Sequence, residues 1–326
     1  MNEPIKDRTL LVCRGSGCNS MKAGNIQELL EELIQEKGLT NHVSIKPTGC
    51  HGFCQVGPTV IVEPDHVLYV HLKPKDLEDL VDGHLVKDEI VEELLYCDHK
   101  SGKRIRDMNE IQFYKEQEPL ITKHCGVINP EDLEEFLDNG GYGSLKKVLN
   151  DFSPENVLEE IQSSGLRGRG GAGFPTGMKW SFCRKAKGEP KYIICNADEG
   201  DPGAFMDRTI LESDPHGVIE GMVIAAYAIG ASRGYAYIRA EYPLAIERFS
   251  LAVDQAREAG FLGENILNSG FTFDISIKKG AGAFVCGEET ALMASIMGKR
   301  GMPRPKPPYP ANSGLWGKRT NINNVK

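Results

Sequence analysis

The sequence predicts an α/β protein with two domains. Its 326 residues are enough for two domains that each bury a core of their own. Strand and helix patterns alternate in the first quarter of the chain, and a second, more regular alternation in the C-terminal half is typical of βαβ units with a parallel sheet. We therefore expect a small α/β domain over residues 1–88, a linker over residues 89–129 and a larger α/β domain over residues 130–326.

In the first domain the predicted order is strand, helix, strand, strand, strand, helix. A short apolar run over residues 9–13 predicts the first strand, and apolar residues at helical spacing within residues 21–36 predict the first helix. The remaining strands and the last helix are predicted at residues 42–46, 59–62, 66–72 and 76–80. This order suggests an α/β sandwich of the thioredoxin type.

The linker and the second domain differ in periodicity. Residues 89–129 are charged and weakly periodic, which predicts a linker with one or two short helices. In the second domain, strands are predicted at residues 191–195, 235–239 and 273–277, with helices at residues 218–229 and 244–259. We expect a ligand at the carboxyl edge of this parallel sheet, where ligands usually bind.

Composition excludes some classes of protein. The chain has 38 basic and 46 acidic side chains, a net charge of −8, and no Lys/Arg block, which argues against a nucleic-acid partner. Its longest nearly unbroken apolar run, residues 222–231, is far shorter than the roughly 20 residues that span a bilayer, and the charged start lacks a secretory signal. We predict a soluble cytoplasmic protein without a membrane segment in this chain.

Four of the nine cysteines have the spacing of metal ligands. Cys13 and Cys18 enclose four residues, Cys50 and Cys54 enclose three, and each pair follows a predicted strand. Thiolates suit zinc or an iron–sulfur cluster. Zinc ribbons typically use tighter pairs, whereas glycines beside the thiols leave backbone N–H groups free for cluster sulfides. Such glycines are Gly15, Gly17, Gly49 and Gly52. We interpret the cysteines as [2Fe–2S] ligands, with zinc or unligated thiols as alternatives.

A glycine loop in the second domain predicts an anion site. Residues 168–173 match G-x-G-x-x-G, but they follow a helical stretch instead of a strand, and the ordinary Rossmann context is therefore absent. Exposed N–H groups of such a loop, with the dipole of a helix that opens near Thr176, would suit a phosphate. A flexible surface loop without a ligand is the alternative.

Three further segments place polar groups near predicted strand ends. Residues 195–203 carry an amide and three carboxylates after a buried strand, an arrangement that fits a ribityl or ribose group better than a plain turn. Residues 280–290 form a second glycine loop that leads into a helix with two carboxylates in its first turn, which could serve only as partners of the helix dipole. Residues 304–309 put a cation and an aromatic ring on a proline-rich strap.

The four ordered motifs resemble the FMN- and NADH-binding (51 kDa-type) flavin subunit of complex I and its relatives, over about residues 130–326. The cysteine spacing resembles the thioredoxin-like [2Fe–2S] ferredoxin module of a complex I subunit. That module is also fused to the N-terminus of flavin subunits of soluble NAD(P)-linked, electron-bifurcating hydrogenases and of formate dehydrogenases. The resemblance implies a thioredoxin-like [2Fe–2S] domain followed by a Rossmann-like FMN/NADH-binding α/β domain.

The resemblance also implies the cofactor-binding residues. Around FMN it places Gly168, Gly170, Lys179, Asn196, Asp198, Phe284, Gly287, Glu288, Asn323 and Asn324. Around NAD(H) it places Phe174 and Phe182, by stacking, with Glu199, Asp201, Glu289, Lys306 and Tyr309 nearby. Asp201 stands where complex I members usually have glutamate and Tyr309 where they often have phenylalanine, which leaves the choice between NADH and NADPH open. We nominate no catalytic acid or base, because hydride transfer requires stacking and alignment.

The implied function is that of an NADH dehydrogenase (diaphorase)-type flavoprotein subunit. It would transfer a hydride between NAD(H) and FMN and pass single electrons to iron–sulfur clusters in a multi-subunit soluble hydrogenase, with electron bifurcation an open question. Expected partners are a small [2Fe–2S] subunit and a catalytic hydrogenase or formate dehydrogenase subunit, with ferredoxin as a further candidate. The alternatives are the flavin subunit of an NAD-dependent formate dehydrogenase or of complex I, and a non-catalytic electron-transfer or metal-binding scaffold.

The family's [4Fe–4S] ligands are absent from these 326 residues. We expect them in a missing C-terminal part, because Asn323 and Asn324 resemble a flavin-contacting pair and only two residues follow them. We therefore expect these residues to belong to a longer polypeptide.

Overall fold

The computed structural model describes residues 5–280, 282 and 284–326. The chain divides into two compact units, Met1–Asn129 and Pro130–Lys326. Both combine helices with a four-stranded sheet, which confirms the predicted α/β class. Among the helices of the described residues, none has the length and apolar character needed to cross a lipid bilayer.

The first unit has a mixed sheet. Its elements are β1 (Arg8–Cys13), α1 (Ser16–Ser20), α2 (Ala23–Glu36), β2 (Val43–Thr48), β3 (Val60–Glu63), β4 (Val67–Tyr69), α3 (Leu77–Leu80) and α4 (Gln112–Lys115). The strand order is β2-β1-β3-β4, with β1 parallel to β2 and both β1–β3 and β3–β4 antiparallel. The predicted order of strands and helices is confirmed, with α1 as an additional short helix.

Alternation along β1 divides the first unit's core into two layers. Leu10 and Val12 face α2, which buries Ile26 and Leu30 on one side at helical spacing. Leu11 faces the opposite layer. The sheet is therefore covered on both faces.

Residues 89–129, predicted as a linker, supply part of that second layer. Tyr96 and Ile111 are buried there together with Leu11, and Leu95 is buried in the first layer. Backbone bridges also join Leu95 to Tyr69 and Asp107 to Val67. The structure differs from the prediction because a few widely spaced apolar residues anchor this charged segment, and such sparse anchors give no periodic signal.

The second unit is built on a parallel sheet. Its elements are α5 (Leu133–Asp138), α6 (Gly143–Asp151), α7 (Pro154–Ser163), α8 (Thr176–Lys185), β5 (Lys191–Ala197), α9 (Met206–Ser213), α10 (Pro215–Ile229), β6 (Arg233–Arg239), α11 (Pro243–Glu258), β7 (Asp274–Gly280), α12 (Glu289–Ile296) and β8 (Arg319–Asn324). The strand order is β7-β6-β5-β8, and every neighbouring pair is parallel. The predicted parallel βαβ sheet is confirmed.

Helices cover both faces of this sheet. A Cβ on Gly234 of β6 would lie 3.2 Å from the terminal methyl group of Met222, and α10 therefore packs directly on that face. Tyr237, three residues further along β6, points to the other face and packs with Leu292 and Ile296 of α12. The carboxyl ends of β5 and β8 lie side by side, with Asn196 paired to Asn324.

Candidate functional site

A cleft of about 1050 Å³ opens at the carboxyl ends of β5 and β8. Most of the cofactor residues nominated from the sequence line it: Gly168, Gly170, Phe174, Lys179, Phe182, Asn196, Gly287, Glu288, Glu289, Lys306, Tyr309, Asn323 and Asn324. Four nominated residues lie outside its wall: Asp198, Glu199, Asp201 and Phe284. The fold thus brings the four sequence motifs to one edge of one sheet.

The glycine loop is a narrow turn that leads into α8. The backbone N–H of Gly168 donates to the carbonyl of Phe174 at 2.9 Å, which closes the loop. Gly171 and Gly173 have φ angles of +102° and +61°, which favour glycine over residues with a Cβ. The helix begins at Thr176, as predicted. The cleft wall therefore contains exposed glycine backbone beside a helix N-terminus, the arrangement that binds phosphate groups.

Two lysines and two glutamates form a charged cluster in the cleft wall. The Nζ of Lys306 donates to Oε1 of Glu289 at 2.7 Å and lies 3.5 Å from Oε1 of Glu288. This hydrogen bond to Glu289 raises the pKa of Lys306. The Nζ of Lys179 donates to the carbonyl of Ile322 at 2.6 Å, and burial lowers the pKa of its ammonium group. Both lysines are therefore held in place by groups of the protein itself.

Three amide side chains at the strand ends are also fixed by protein groups. The Nδ2 of Asn196 donates to the carbonyl of Gly287 at 2.9 Å. The Oδ1 of Asn323 accepts from the indole N–H of Trp180 at 3.0 Å. The Nδ2 of Asn324 donates to Oδ2 of Asp207 at 2.7 Å. These bonds set the amide orientation in advance, as a specific polar site requires.

Unsatisfied buried oxygens lie next to the cleft and test whether FMN suits it. Among the residues that the structure describes, Oδ2 of Asp198 and Oδ1 of Asp207 are buried and have no hydrogen-bond partner. Burial raises the pKa of both carboxyls to about 6. A Cβ on Gly287 would lie 3.2 Å from the carbonyl oxygen of Asp198, so the second glycine loop touches the acidic loop directly. Buried acceptors in the same region as a glycine turn at a helix N-terminus fit a ligand that has both hydroxyl and phosphate groups, as FMN does.

Substituting Asp207 by asparagine should stabilise the protein at neutral pH. A folded-state pKa raised to about 6 gives stability that is present below the unfolded value of 3.8 and is lost as the pH rises through 6. Asparagine removes that loss, which amounts to roughly 2–3 kcal/mol, and can still accept from Asn324. The difference in Tm between variant and parent should therefore be large at about pH 8 and small at about pH 4.

The matched control is Asp151→Asn at the exposed end of α6, which should leave Tm unchanged at both pH values. A Tm difference for Asp207→Asn that is the same at both pH values would contradict the assignment of the effect to ionisation.

Glu199 has a role that the sequence did not reveal. Its carboxylate accepts from the backbone N–H groups of Met206 at 2.7 Å, Asp207 at 3.1 Å and Arg208 at 3.3 Å, and thus caps the N-terminus of α9. Arg239 also donates to the carbonyl oxygen of Glu199 at 2.5 Å. Glu199 therefore closes the acidic loop onto α9, whereas Asp201 is exposed in the same loop.

The cleft also contains residues that the sequence motifs did not nominate: Ala172, Gly173, Thr176, Lys185, Ala186, Pro310, Ala311, Asn312, Thr320, Asn321 and Ile322. A helical signal could have found some of them. Thr176, Lys179, Phe182 and Lys185 follow one another at spacings of three on α8. Because Lys179 and Phe182 are nominated, the helical spacing would also indicate Thr176 and Lys185.

The four predicted cluster cysteines lie together in the first unit. Cys13 ends β1, Cys18 lies in α1, and Cys50 and Cys54 follow β2, with 3.9 Å between the sulfurs of Cys50 and Cys54. Cys13, Cys18 and Cys50 are buried. In the described part of the chain, no three His, Cys, Asp or Glu side chains are placed as around a metal ion. An iron–sulfur cluster requires that the cysteine loops approach each other closely and that backbone N–H groups reach the sulfurs.

Glycines allow the cysteine loops to approach each other. A Cβ on Gly17 would lie 2.9 Å from the sulfur of Cys54, and a Cβ on Gly57 would lie 2.9 Å from the sulfur of Cys18. The N–H of Gly52 donates to the sulfur of Cys50 at 3.2 Å, which matches the expected role of glycines beside the thiols. Close loops and backbone donors to sulfur suit an iron–sulfur cluster.

Ionisation of the Cys13 thiol is linked to that of Cys18 and Cys50. Hydrogen bonds from Cys18 and Cys50 lower the pKa of the Cys13 thiol well below its ordinary value. Hydrogen bonding to Cys13 correspondingly raises the pKa values of Cys18 and Cys50. The pocket therefore favours a thiolate at Cys13, and thiolates are the form that binds metal.

Known proteins resemble both the sequence and the fold. Residues 161–326, just over half of the chain, match the family model of the Nuo51 FMN-binding domain. The chain is 58% identical over 212 residues to the HndC subunit of the NADP-reducing hydrogenase of Solidesulfovibrio fructosivorans, covering 65% of this chain and 43% of HndC. It is 56% identical over 207 residues to an NADH-quinone oxidoreductase subunit of Aquifex aeolicus (strain VF5), covering 64% of this chain and 48% of that relative.

A solved structure of an NAD⁺-reducing [NiFe]-hydrogenase in the H₂-reduced state has a similar fold. The TM-score is 0.55 at 28% identity, over 99% of this chain and 51% of the hydrogenase chain. The chain thus spans about half the length of the relatives it matches. With a family match that covers the glycine loop, the acidic loop and β8, the chain belongs to the family of the Nuo51 FMN-binding domain.

Proposed function

We propose that this chain is the FMN- and NAD(H)-binding part of an NAD(P)-linked oxidoreductase and that its first unit carries a [2Fe–2S] cluster. The observation that carries the proposal is the single cleft that gathers two glycine loops, the charged cluster and the strand-end amides. The family match supports FMN as its ligand.

The residues of the cleft suit the parts of FMN. The Gly168–Gly173 turn and the N-terminus of α8 would bind the phosphate. Asn196 and Asp198 would hold ribityl hydroxyls, because a buried oxygen of Asp198 has no hydrogen-bond partner in the described part of the chain. When bound, FMN accepts a hydride from the nicotinamide and releases the two electrons singly. The protein's contribution is position, and no side chain needs to act as an acid or a base.

Exposed aromatic rings would bind the dinucleotide. Phe174, Phe182 and Tyr309 line the cleft and are 45%, 53% and 56% exposed. The ring centroids of Phe174 and Phe182 are 6.4 Å apart. Large exposed aromatic side chains around a cleft favour a planar ligand that stacks on them. Both NADH and NADPH have such planar groups, and the choice between them stays open.

The assembly that we propose is a multi-subunit soluble hydrogenase. The support is the identity to HndC, which belongs to an NADP-reducing hydrogenase, and the fold of an NAD⁺-reducing hydrogenase. The partners would be a small [2Fe–2S] subunit and a catalytic hydrogenase subunit, with ferredoxin as a further candidate. The identity to the NADH-quinone oxidoreductase of Aquifex aeolicus keeps a complex I-like assembly as the second candidate.

The test is flavin binding and its reduction. Anaerobically prepared protein should bind FMN, and NADH or NADPH should bleach the absorbance of the bound flavin. Lys179→Met removes an ammonium group from the cleft wall and should weaken FMN binding, whereas Lys299→Met, an exposed lysine outside the wall, should not. Protein that binds neither FMN nor dinucleotide would contradict the proposal and favour a non-catalytic scaffold.

A further inference from the structure

Aromatic side chains enclose the loop that carries Cys50 and Cys54. The ring of Phe53, in this loop, stacks on Phe113 with centroids 5.0 Å apart and planes 8° apart. Tyr96 lies 5.0 Å from Phe53, and Tyr114 meets it edge-on at 6.0 Å. We call Phe53, Tyr96, Phe113 and Tyr114 the aromatic cover. Three of its four members come from residues 89–129.

One member of the cover also binds the loop backbone. The hydroxyl of Tyr114 donates to the carbonyl of His51 at 2.9 Å. The buried His51 ring is hydrogen-bonded to Thr48 at 2.9 Å and to Thr59 at 3.0 Å. The Thr59 hydroxyl in turn lies 4.0 Å from the sulfur of Cys18. Tyr114 is therefore hydrogen-bonded directly to the loop between Cys50 and Cys54, and through His51 and Thr59 it is connected to Cys18.

Gly126, near the end of residues 89–129, also packs closely against His51. A Cβ on Gly126 would lie 2.8 Å from Cδ2 of His51 and 3.3 Å from its Cα. Three residues before Tyr114, the segment is anchored by Ile111, which is 1% exposed. Tyr114 and Gly126, which both lie outside the thioredoxin-like domain predicted over residues 1–88, therefore lie against His51.

We propose that the aromatic cover is part of the cluster site and that Tyr114 is a positioning residue for the loop between Cys50 and Cys54. This inference rests on the [2Fe–2S] cluster of the proposed function. The hydrogen bond to His51 fixes the backbone between two ligands, and the buried ring of Tyr96 and the half-buried ring of Tyr114 shield the loop from water. Residues that orient ligands and exclude solvent set both the affinity of a metal site and its potential. The functional cluster domain accordingly extends to about residue 129.

The test uses the full chain. Tyr114→Phe keeps the ring contacts and removes only the hydrogen bond to His51. The matched control is Tyr227→Phe, because Tyr227 is also partly buried and donates to a backbone carbonyl, that of Phe152, at 2.8 Å in the second unit. After anaerobic cluster reconstitution, transfer of iron to a chelator should be about tenfold faster in Tyr114→Phe than in the parent. Tyr227→Phe should release iron at the parent rate.

A second variant, Tyr114→Ala, should also raise the midpoint potential of the cluster, because water that enters stabilises the more highly charged reduced state. If Tyr114→Ala fails to fold, the iron-release rate of Tyr114→Phe decides. A parent-like rate in Tyr114→Phe, or equal acceleration in Tyr227→Phe, would overturn the inference. A parent protein that binds no iron would instead contradict the cluster of the proposed function, and the cover with it.

Discussion

Replacing Cys50 by alanine should abolish cluster binding, the largest effect that we expect from a single substitution. The variant loses one of four thiolates in a pocket where Cys50 is hydrogen-bonded to Cys13 and accepts from the N–H of Gly52. A three-thiolate pocket lacks a ligand for one of the two irons. Iron and sulfide analysis after anaerobic reconstitution should show two of each per parent chain and almost none per variant chain.

The control for this substitution is Cys97→Ala, which removes an exposed thiol from the same unit. Its iron content should equal that of the parent. Equal iron loss in both variants would mean that the ligands were chosen wrongly, and a parent that contains zinc without iron would favour the zinc alternative.

Phe182→Ala should weaken dinucleotide binding with little change in FMN content. Loss of a stacking ring costs about 1–3 kcal/mol per base, which corresponds to a rise in Kd of roughly 5- to 150-fold. Phe182 is a good candidate because it lines the cleft and half of its surface is exposed. Because NADH would reduce the bound flavin, titration of the FMN-loaded protein with NAD⁺, which cannot reduce it, would give the Kd.

The matched control is Phe205→Ala. Phe205 is 49% exposed, close to the 53% of Phe182, and does not line the cleft. Its removal should leave the Kd for NAD⁺ unchanged. If the two variants bind NAD⁺ equally well, Phe182 does not stack on the dinucleotide and the aromatic rings have another role.

Sequence patterns predict those helices and strands whose own residues, by their spacing and their caps, favour the structure that is observed. The helix α10 is an example: Asp214 accepts from the backbone N–H of Gly217, Pro215 stands at the first helical position, and Gly230 ends the helix with φ of +81°. Apolar residues between these signals are buried on nearly every side. The apolar pattern predicted this helix over residues 218–229, and the capping residues account for its observed bounds, Pro215–Ile229.

The strand β8 was missed because tertiary contacts determine it. Its sequence, Arg319–Asn324, contains three asparagines, which are depleted in strands, and no alternating apolar pattern. It is a strand because its backbone pairs in parallel with β5 from Lys191 to Asn196. The resemblance nominated Asn323 and Asn324 as flavin contacts, but neither propensity nor periodicity could place them on the sheet.

The nominated site residues show the same difference between features that are local in sequence and features that depend on tertiary contacts. Residues on regular elements, such as Lys179 and Phe182 on α8, line one cleft as nominated. Glu199 instead caps α9, because its loop folds back onto that helix through contacts that are not local in sequence. Residue type and motif predicted which groups are polar and near the sheet edge, whereas the loop path decided which of them face the cleft.

The pairing of β5 with β8 has a consequence for the order of folding. Lys191 pairs with Arg319, so the sheet edge joins positions 128 residues apart in the chain (319 − 191). Contacts of such high sequence separation cost loop-closure entropy before they gain energy, and they form slowly. The strand-end amides Asn196 and Asn324 meet only when this pairing is complete. We therefore expect the cleft to assemble late in the folding of the second unit, and we expect a ligand that binds it to stabilise the finished sheet.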